Sequence, residues 1–164
     1  MTSPSIIMLC GVPTSGKSSW CKNNTDFTII SSDNIIENYA SSVGLSYNEV
    51  FDDYIKEAVS LMLEQLKYAV ALDKNIICDQ THLTPKVRKR KLKMIPEYYK
   101  KVAVYFEISK DEMLKRNHNE DRTKTVPQRV LLQMFDAYKR PSVEEGFDGV
   151  YDGQFINCPD FSLS

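Results

Sequence analysis

Gly11-Val12-Pro13-Thr14-Ser15-Gly16-Lys17-Ser18 places a glycine, four residues and then Gly-Lys-Ser in one short stretch. The apolar run Ile6-Ile7-Met8-Leu9-Cys10 precedes it and reads as a buried strand. Ser19-Trp20-Cys21-Lys22 follows and reads as the first turn of a helix. Strand, loop and helix in that order are the setting in which this spacing is a P-loop rather than a Gly/Ser turn before an ordinary helix. The loop from Gly11 through Thr14, Ser15, Gly16, Lys17, Ser18 and Ser19 then forms a nest of backbone N–H groups for phosphate oxygens, backed by the positive end of the helix. Lys17 adds a point charge between the outer phosphates, and the Ser18 hydroxyl is the expected Mg²⁺ ligand, so ATP and Mg²⁺ are the expected cofactors.

The rest of the chain alternates strands with helices. Phe27–Ser31 reads as a second strand, Asn75–Asp79 as a third, Lys101–Glu107 as a fourth and Gly146–Tyr151 as a last one. Apolar residues at steps of three and four predict a long helix over about Tyr47 to Leu72. Thr84-Pro85 reads as N-cap and first position of a basic helix running to about Tyr98. Lys110 to Arg116 predicts a short helix, followed by a charged, mobile segment through Thr125 and another helix from Pro127 through Tyr138. This is the pattern of an α/β fold, a parallel sheet with helices on both faces. A length of 164 residues suits one domain over 1–164. Ligands in such sheets bind beyond the carboxyl ends of the strands, where Gly11 to Ser18, Asp33 and Asp79 fall.

Net charge is −1, so the chain as a whole is not a polycation. The charge is unevenly placed: Lys86, Arg88, Lys89, Arg90, Lys91 and Lys93 cluster, while acids gather near the end. The cluster reads either as a solvated helix with lysine stems over apolar surface or as a track for nucleic-acid phosphates, with Arg88, Lys89, Arg90 and Lys91 as the binding residues. Cys10, Cys21, Cys78 and Cys158 have no metal-ligand spacing, and a reduced, cytoplasmic setting is expected. No apolar run approaches the ~18 residues of a membrane helix, and the N-terminus lacks the features of a signal peptide.

Two acids close strands. Asp33 follows the second strand, where its carboxylate reads as a general base for an acceptor hydroxyl or as a cap of the next helix. Asp79 ends the third strand, as an acid holding Mg²⁺ through water or as a turn acid. Arg116 and Arg122 bracket a polar stretch, and an arginine on a closing segment stabilises transferring phosphoryl charge. His82 and His118 read as polar loop residues.

Together Gly11–Trp20, Ser31-Ser32-Asp33, Asp79–Pro85, Leu114-Lys115-Arg116-Asn117, Thr123–Pro127 and Tyr138–Phe147 resemble the polynucleotide 5′-hydroxyl kinase family, in particular the kinase domain of phage polynucleotide kinase–phosphatase. The resemblance spans nearly the whole chain. It implies a P-loop NTPase fold of the adenylate-kinase type with a lid over about 116–126. It also implies ATP- and Mg²⁺-dependent phosphorylation of a 5′-hydroxyl end of DNA or RNA, Asp33 as base and a lid arginine on the nucleotide phosphates. Ile36 stands where the phage family carries an arginine for the acceptor's 3′-phosphate, Arg122 is one residue out of register with the lid arginine, and no counterpart of the phosphatase half is seen. A kinase for a nucleoside, a modified DNA base or a small metabolite is the alternative within enzymes. An NTP-binding regulatory module is the alternative outside them.

Overall fold

The computed structural model describes residues 2–24, 26–119, 122 and 124–156. Five parallel strands form one sheet in the order β2-β3-β1-β4-β5: β1 Ser5–Cys10, β2 Thr28–Ile30, β3 Ile76–Cys78, β4 Lys100–Tyr105 and β5 Gly149–Asp152. β1 is central and buried throughout, as a parallel strand covered on both faces must be. Its side chains alternate between two cores. Ile6 packs with Met62, Leu66 and Ala69 of α3 (Tyr47–Ala71), whereas Ile7 and Leu9 pack with Trp20 and Cys21 of α1 (Lys17–Lys22). Helices therefore cover both faces, and the α/β P-loop architecture expected from the sequence is the one observed.

α2 (Ser32–Val43) and α3 form a hairpin. Ser31 caps α2 by accepting from Asn34 N–H at 3.3 Å, Gly44 ends it at φ 72°, and a Ser46/Glu49 capping box starts α3. The hairpin has its own core of Ile36, Ala40, Val50 and Ala58. Ile36 is fully buried there, so it is a packing residue of the hairpin and does not line a ligand site.

Beyond the sheet, α4 (Pro85–Leu92), α5 (Lys110–Asn117), α6 (Gln128–Ala137) and a 3₁₀ turn at Val143–Glu145 complete the chain. α4 stops at Leu92 rather than near Tyr98. Pro96 has no N–H to give Leu92 and biases Ile95 away from helix, and the chain tightens into turns, with Met94 N–H on Lys91 O at 3.0 Å and Ile95 N–H on Leu92 O at 3.1 Å. β4 ends at Tyr105, short of Glu107, and β5 begins at Gly149, because Gly146 turns the chain at φ 118°. Cys10, Cys21 and Cys78 are buried free thiols, while Cys158 lies outside the described residues. Among the described residues no helix is long and apolar enough to cross a membrane.

Candidate active site

The P-loop joins β1 to α1. Gly11 donates to Thr81 O at 2.9 Å, and a Cβ on it would lie 2.7 Å from both Phe106 O and Ser15 Oγ, so only glycine fits. Thr14 at φ 75° and Gly16 at φ 109° are left-handed, which turns successive N–H groups to one side and makes an anion nest. Gly16 is the N-cap of α1 and no side chain caps that end, leaving the first-turn donors directed at the loop's interior. The Lys17 ammonium is buried and donates to Gly11 O at 2.9 Å and Val12 O at 2.8 Å. Burial lowers its pKa to about 8, against the pull of Asp79 and Asp33 in the other direction.

Asp33 is the second residue of α2, and the cap position belongs to Ser31. The capping reading of Asp33 therefore gives way: its carboxylate is exposed and accepts from the Tyr47 hydroxyl at 2.6 Å. Burial first, and then the Asp33 carboxylate, push the Tyr47 phenol well above its usual value, so it stays a donor. Asp79 follows β3, with its N–H on Ile30 O at 2.9 Å. Burial raises its carboxyl pKa, partly offset by Lys17. Ser18 and Asp79 offer hard oxygen donors of the kind Mg²⁺ takes. Among the described residues no three His, Cys, Asp or Glu side chains gather to hold a metal ion.

A cleft of about 840 Å³ opens at the strand ends. Asp33, Asp79, Arg122 and Pro13 of the P-loop line it, with Tyr47 and Phe51 as an aromatic wall whose ring centroids are 5.6 Å apart. The far side is the segment before α6. Lys124 pairs with Glu37 at 2.6 Å, Asn48 donates to Thr125 Oγ1 at 3.1 Å, and Asn117 clamps the backbone of Val126 through bonds of 2.8 and 3.1 Å. Arg122 donates to Lys124 O at 2.8 Å; burial lowers its pKa and Asp33 raises it. Arg116 occupies a different place. It is part of α5, ion-paired to Glu112 at 2.9 Å, and donates to Thr14 O of the P-loop at 2.9 Å. The two arginines thus flank the nucleotide loop and the cleft separately, and the lid expected over about 116–126 is helical through Asn117. Its residues 120, 121 and 123 lie outside the described residues.

The basic helix departs from expectation. Arg88, placed among the nucleic-acid-binding residues, has no exposure: it pairs with Glu145 at 2.7 and 3.2 Å and donates to His82 O at 2.7 Å. Lys91, placed there too, is buried against His82 Nε2 at 2.7 Å and Gln80 Oε1. Both are structural cations, while Lys89 and Arg90 are on the surface. His82 is buried as well, with Nδ1 on Leu9 O; burial and then Lys91 hold it neutral. Tyr47, Gln80 and His82 were not singled out as site residues by sequence reasoning. The spacing of Arg88 and Lys91 with Leu92 and Ile95, at three, four and seven residues, was the available signal for an inward face.

A family model described as an AAA domain matches residues 6–141. The chain is similar to a chain of the Pnkp1/Rnl/Hen1 RNA repair complex, with TM-score 0.65 and 17% identity over 84% of this chain and 44% of that one. It is also similar to a gluconokinase from Sinorhizobium meliloti 1021, with TM-score 0.56 and 17% identity over 96% and 87% of the two chains. A shikimate kinase from Aquifex aeolicus vf5 matches with TM-score 0.54 and 16% identity over 93% and 89%. These similarities are of fold. The chain spans less than half the length of the Pnkp1 complex chains it matches, 42% and 44%.

Proposed function

We propose that this chain, which belongs to the AAA domain family, is an ATP-dependent phosphotransferase that moves the γ-phosphoryl group to a hydroxyl held in the 840 Å³ cleft. One observation carries this reading: Asp33, Asp79 and Arg122 line the same cleft as Pro13 of the P-loop. The loop N–H groups and Lys17 hold the phosphates. Mg²⁺, with Ser18 and Asp79 as its protein partners, neutralises phosphate charge when bound. Asp33 accepts the proton of the attacking hydroxyl, and Tyr47 fixes the carboxylate that does so. Arg122 faces the charge that develops on the transferring group, and Arg116 braces Thr14. Three buried free thiols fit a reducing cytoplasmic setting.

The acceptor we favour is the 5′-hydroxyl end of a nucleic acid. Its support is the resemblance of Ser31–Asp33, Asp79–Pro85 and Leu114–Asn117 to that kinase family. A small hydroxyl acceptor is the second reading. Ile36 is buried, so α2 offers no cation there for an acceptor phosphate, and the gluconokinase and shikimate kinase matches cover most of both chains. The test is γ-labelled ATP with 5′-hydroxyl oligonucleotides, 3′-nucleotides, nucleosides, modified duplex DNA and sugar acids. Label transfer to oligonucleotides supports the first reading, transfer to small acceptors alone the second, and no transfer to any acceptor removes both.

A further inference from the structure

α4 presents two cationic faces with different fates. Arg88 and Lys91 point inward. Lys89, Arg90 and Lys93 lie three, four and seven residues after Lys86, which puts the four on one outward stripe. Among the described residues these four line a recess of about 470 Å³ that shares none of them with the cleft. Among the described residues none of the four takes part in an ion pair.

Local helix energetics do not account for the stripe. Lys86/Arg90 and Lys89/Lys93 are like-charged pairs four apart, which repel. Cations near the C-terminal turn suit the helix dipole, but Lys86 sits in the first turn, where a cation is unfavourable. The chain's net charge of −1 makes this a local concentration rather than general basicity. The platform is also fixed, because Arg88–Glu145 and Lys91–Gln80 pin the opposite side of the helix.

Topology aims the stripe. Asp79, Gln80 and Thr81 line the cleft just before α4, and the chain after α4 returns to the start of β4 at Lys100. Lys86 therefore lies nearest the strand-end edge and Lys93 farthest from it. The distance between them along the helix is about 10 Å, longer than one nucleotide step, so the stripe can meet more than one phosphate of a single strand.

We propose that Lys86, Lys89, Arg90 and Lys93 form a phosphodiester track that holds the acceptor strand behind its reacting end. The proposal rests on the polynucleotide reading above. Its test replaces all four with Gln, with Lys56→Gln/Lys67→Gln on α3 as a remote control. Binding of a fluorescein-labelled single-stranded 20-mer is followed by anisotropy across a salt series, and turnover is compared for 5′-hydroxyl 20-mer and dinucleotide.

The wild-type chain and the control are expected to bind the 20-mer with an affinity that falls steeply with salt. The fourfold variant should lose that binding by tenfold or more, with a log–log salt slope shallower by up to about three. Single Lys86→Gln and Lys93→Gln variants should each remove about 0.7 of slope. In turnover, the variant should lose only the KM advantage of 20-mer over dinucleotide, with kcat and ATP KM unchanged. A 20-mer that does not bind the wild type, or binds the folded variant equally, overturns the track, as does an equal loss in the control. Slope-dependent binding lost in the variant, without phosphorylation of any oligonucleotide, keeps the track and overturns the acceptor reading instead.

Discussion

The Tyr47 hydroxyl reaches Asp33 Oδ1 across 2.6 Å, joining the first turn of α3 to the first turn of α2. The bond holds a carboxylate that lines the cleft. Tyr47→Phe keeps the ring against Phe51 and deletes the donor. We expect kcat to fall by about threefold to tenfold, the scale for losing one hydrogen bond with a net worth of about 1 kcal/mol at an exposed carboxylate, with ATP KM and Tm nearly unchanged. Steady-state kinetics beside a thermal melt checks it, and unchanged kcat would remove Tyr47 from the positioning role.

Asp33→Asn separates base from fold. The cap of α2 is Ser31, so the substitution should leave Tm within a degree or two. Turnover should drop by about 10²-fold or more because an amide cannot take the hydroxyl proton. Ser31→Ala should do the reverse, costing about 1 kcal/mol of stability while preserving most of kcat. If both variants lost stability and activity together, Asp33 would be structural.

Lys17→Ala should reduce kcat by on the order of 10²-fold or more, the scale for losing one transition-state donor. The fold should persist, because among the described residues Nζ bonds the loop's own carbonyls and Ser15. Equilibrium binding of ATP and circular dichroism distinguish loss of the site from loss of the fold. Near-normal turnover would discard the phosphate-binding role.

Glu145 sets an acid limit. Burial pushes its carboxyl up, but the Arg88 guanidinium and the Ser142 N–H hold it, on balance, below the usual value. The folded-state pKa is thus lower than the unfolded one. Stability from the pair is present above about pH 4.3 and is lost as pH falls through the folded value. Glu145→Gln leaves Arg88 buried without its charge partner, which costs about 3 kcal/mol. Melts from pH 7 to 3 should show the wild type and variant converging at the acid end. A constant gap across that range would mean the pair does not titrate as described.

The P-loop, the strand–helix alternation and α3 were legible because each is a local pattern: a motif of eight residues, apolar runs, a three–four period. α2 was assigned no extent, since Asn34, Glu37, Asn38, Ser41 and Ser42 dilute its apolar period. Three of the residues misread or passed over have a partner well outside their own helix or loop. Arg88 meets a carboxylate 57 positions later, His82 a carbonyl 73 positions earlier, and Tyr47 an acid 14 positions earlier across a helical turn. A run of six cations looks alike until the fold brings Glu145 to Arg88, and Gln80 and His82 to Lys91, and so draws two of the six inward. The pairing of Asp33 with the cleft was readable from its place after a strand; its tether to Tyr47 was not.

The match to the AAA domain family stops at residue 141, yet Glu145, the counter-charge of Arg88, lies past that point, as do β5 at the sheet edge and Gly153, packed within 4 Å of the Phe106 ring beside the P-loop. Trp20 of α1 also donates to Ile156 O. A ribosome therefore finishes the nucleotide loop long before it makes the parts that brace it. A nascent chain halted at 141 would hold every phosphate-binding residue and still carry a stranded guanidinium in its interior, at a cost of about 3–5 kcal/mol against a typical domain stability of about 5–15 kcal/mol. The fifteen described residues after 141 thus supply the counter-charge of Arg88, the edge strand β5 and the carbonyl that Trp20 meets, a clasp on a loop made first.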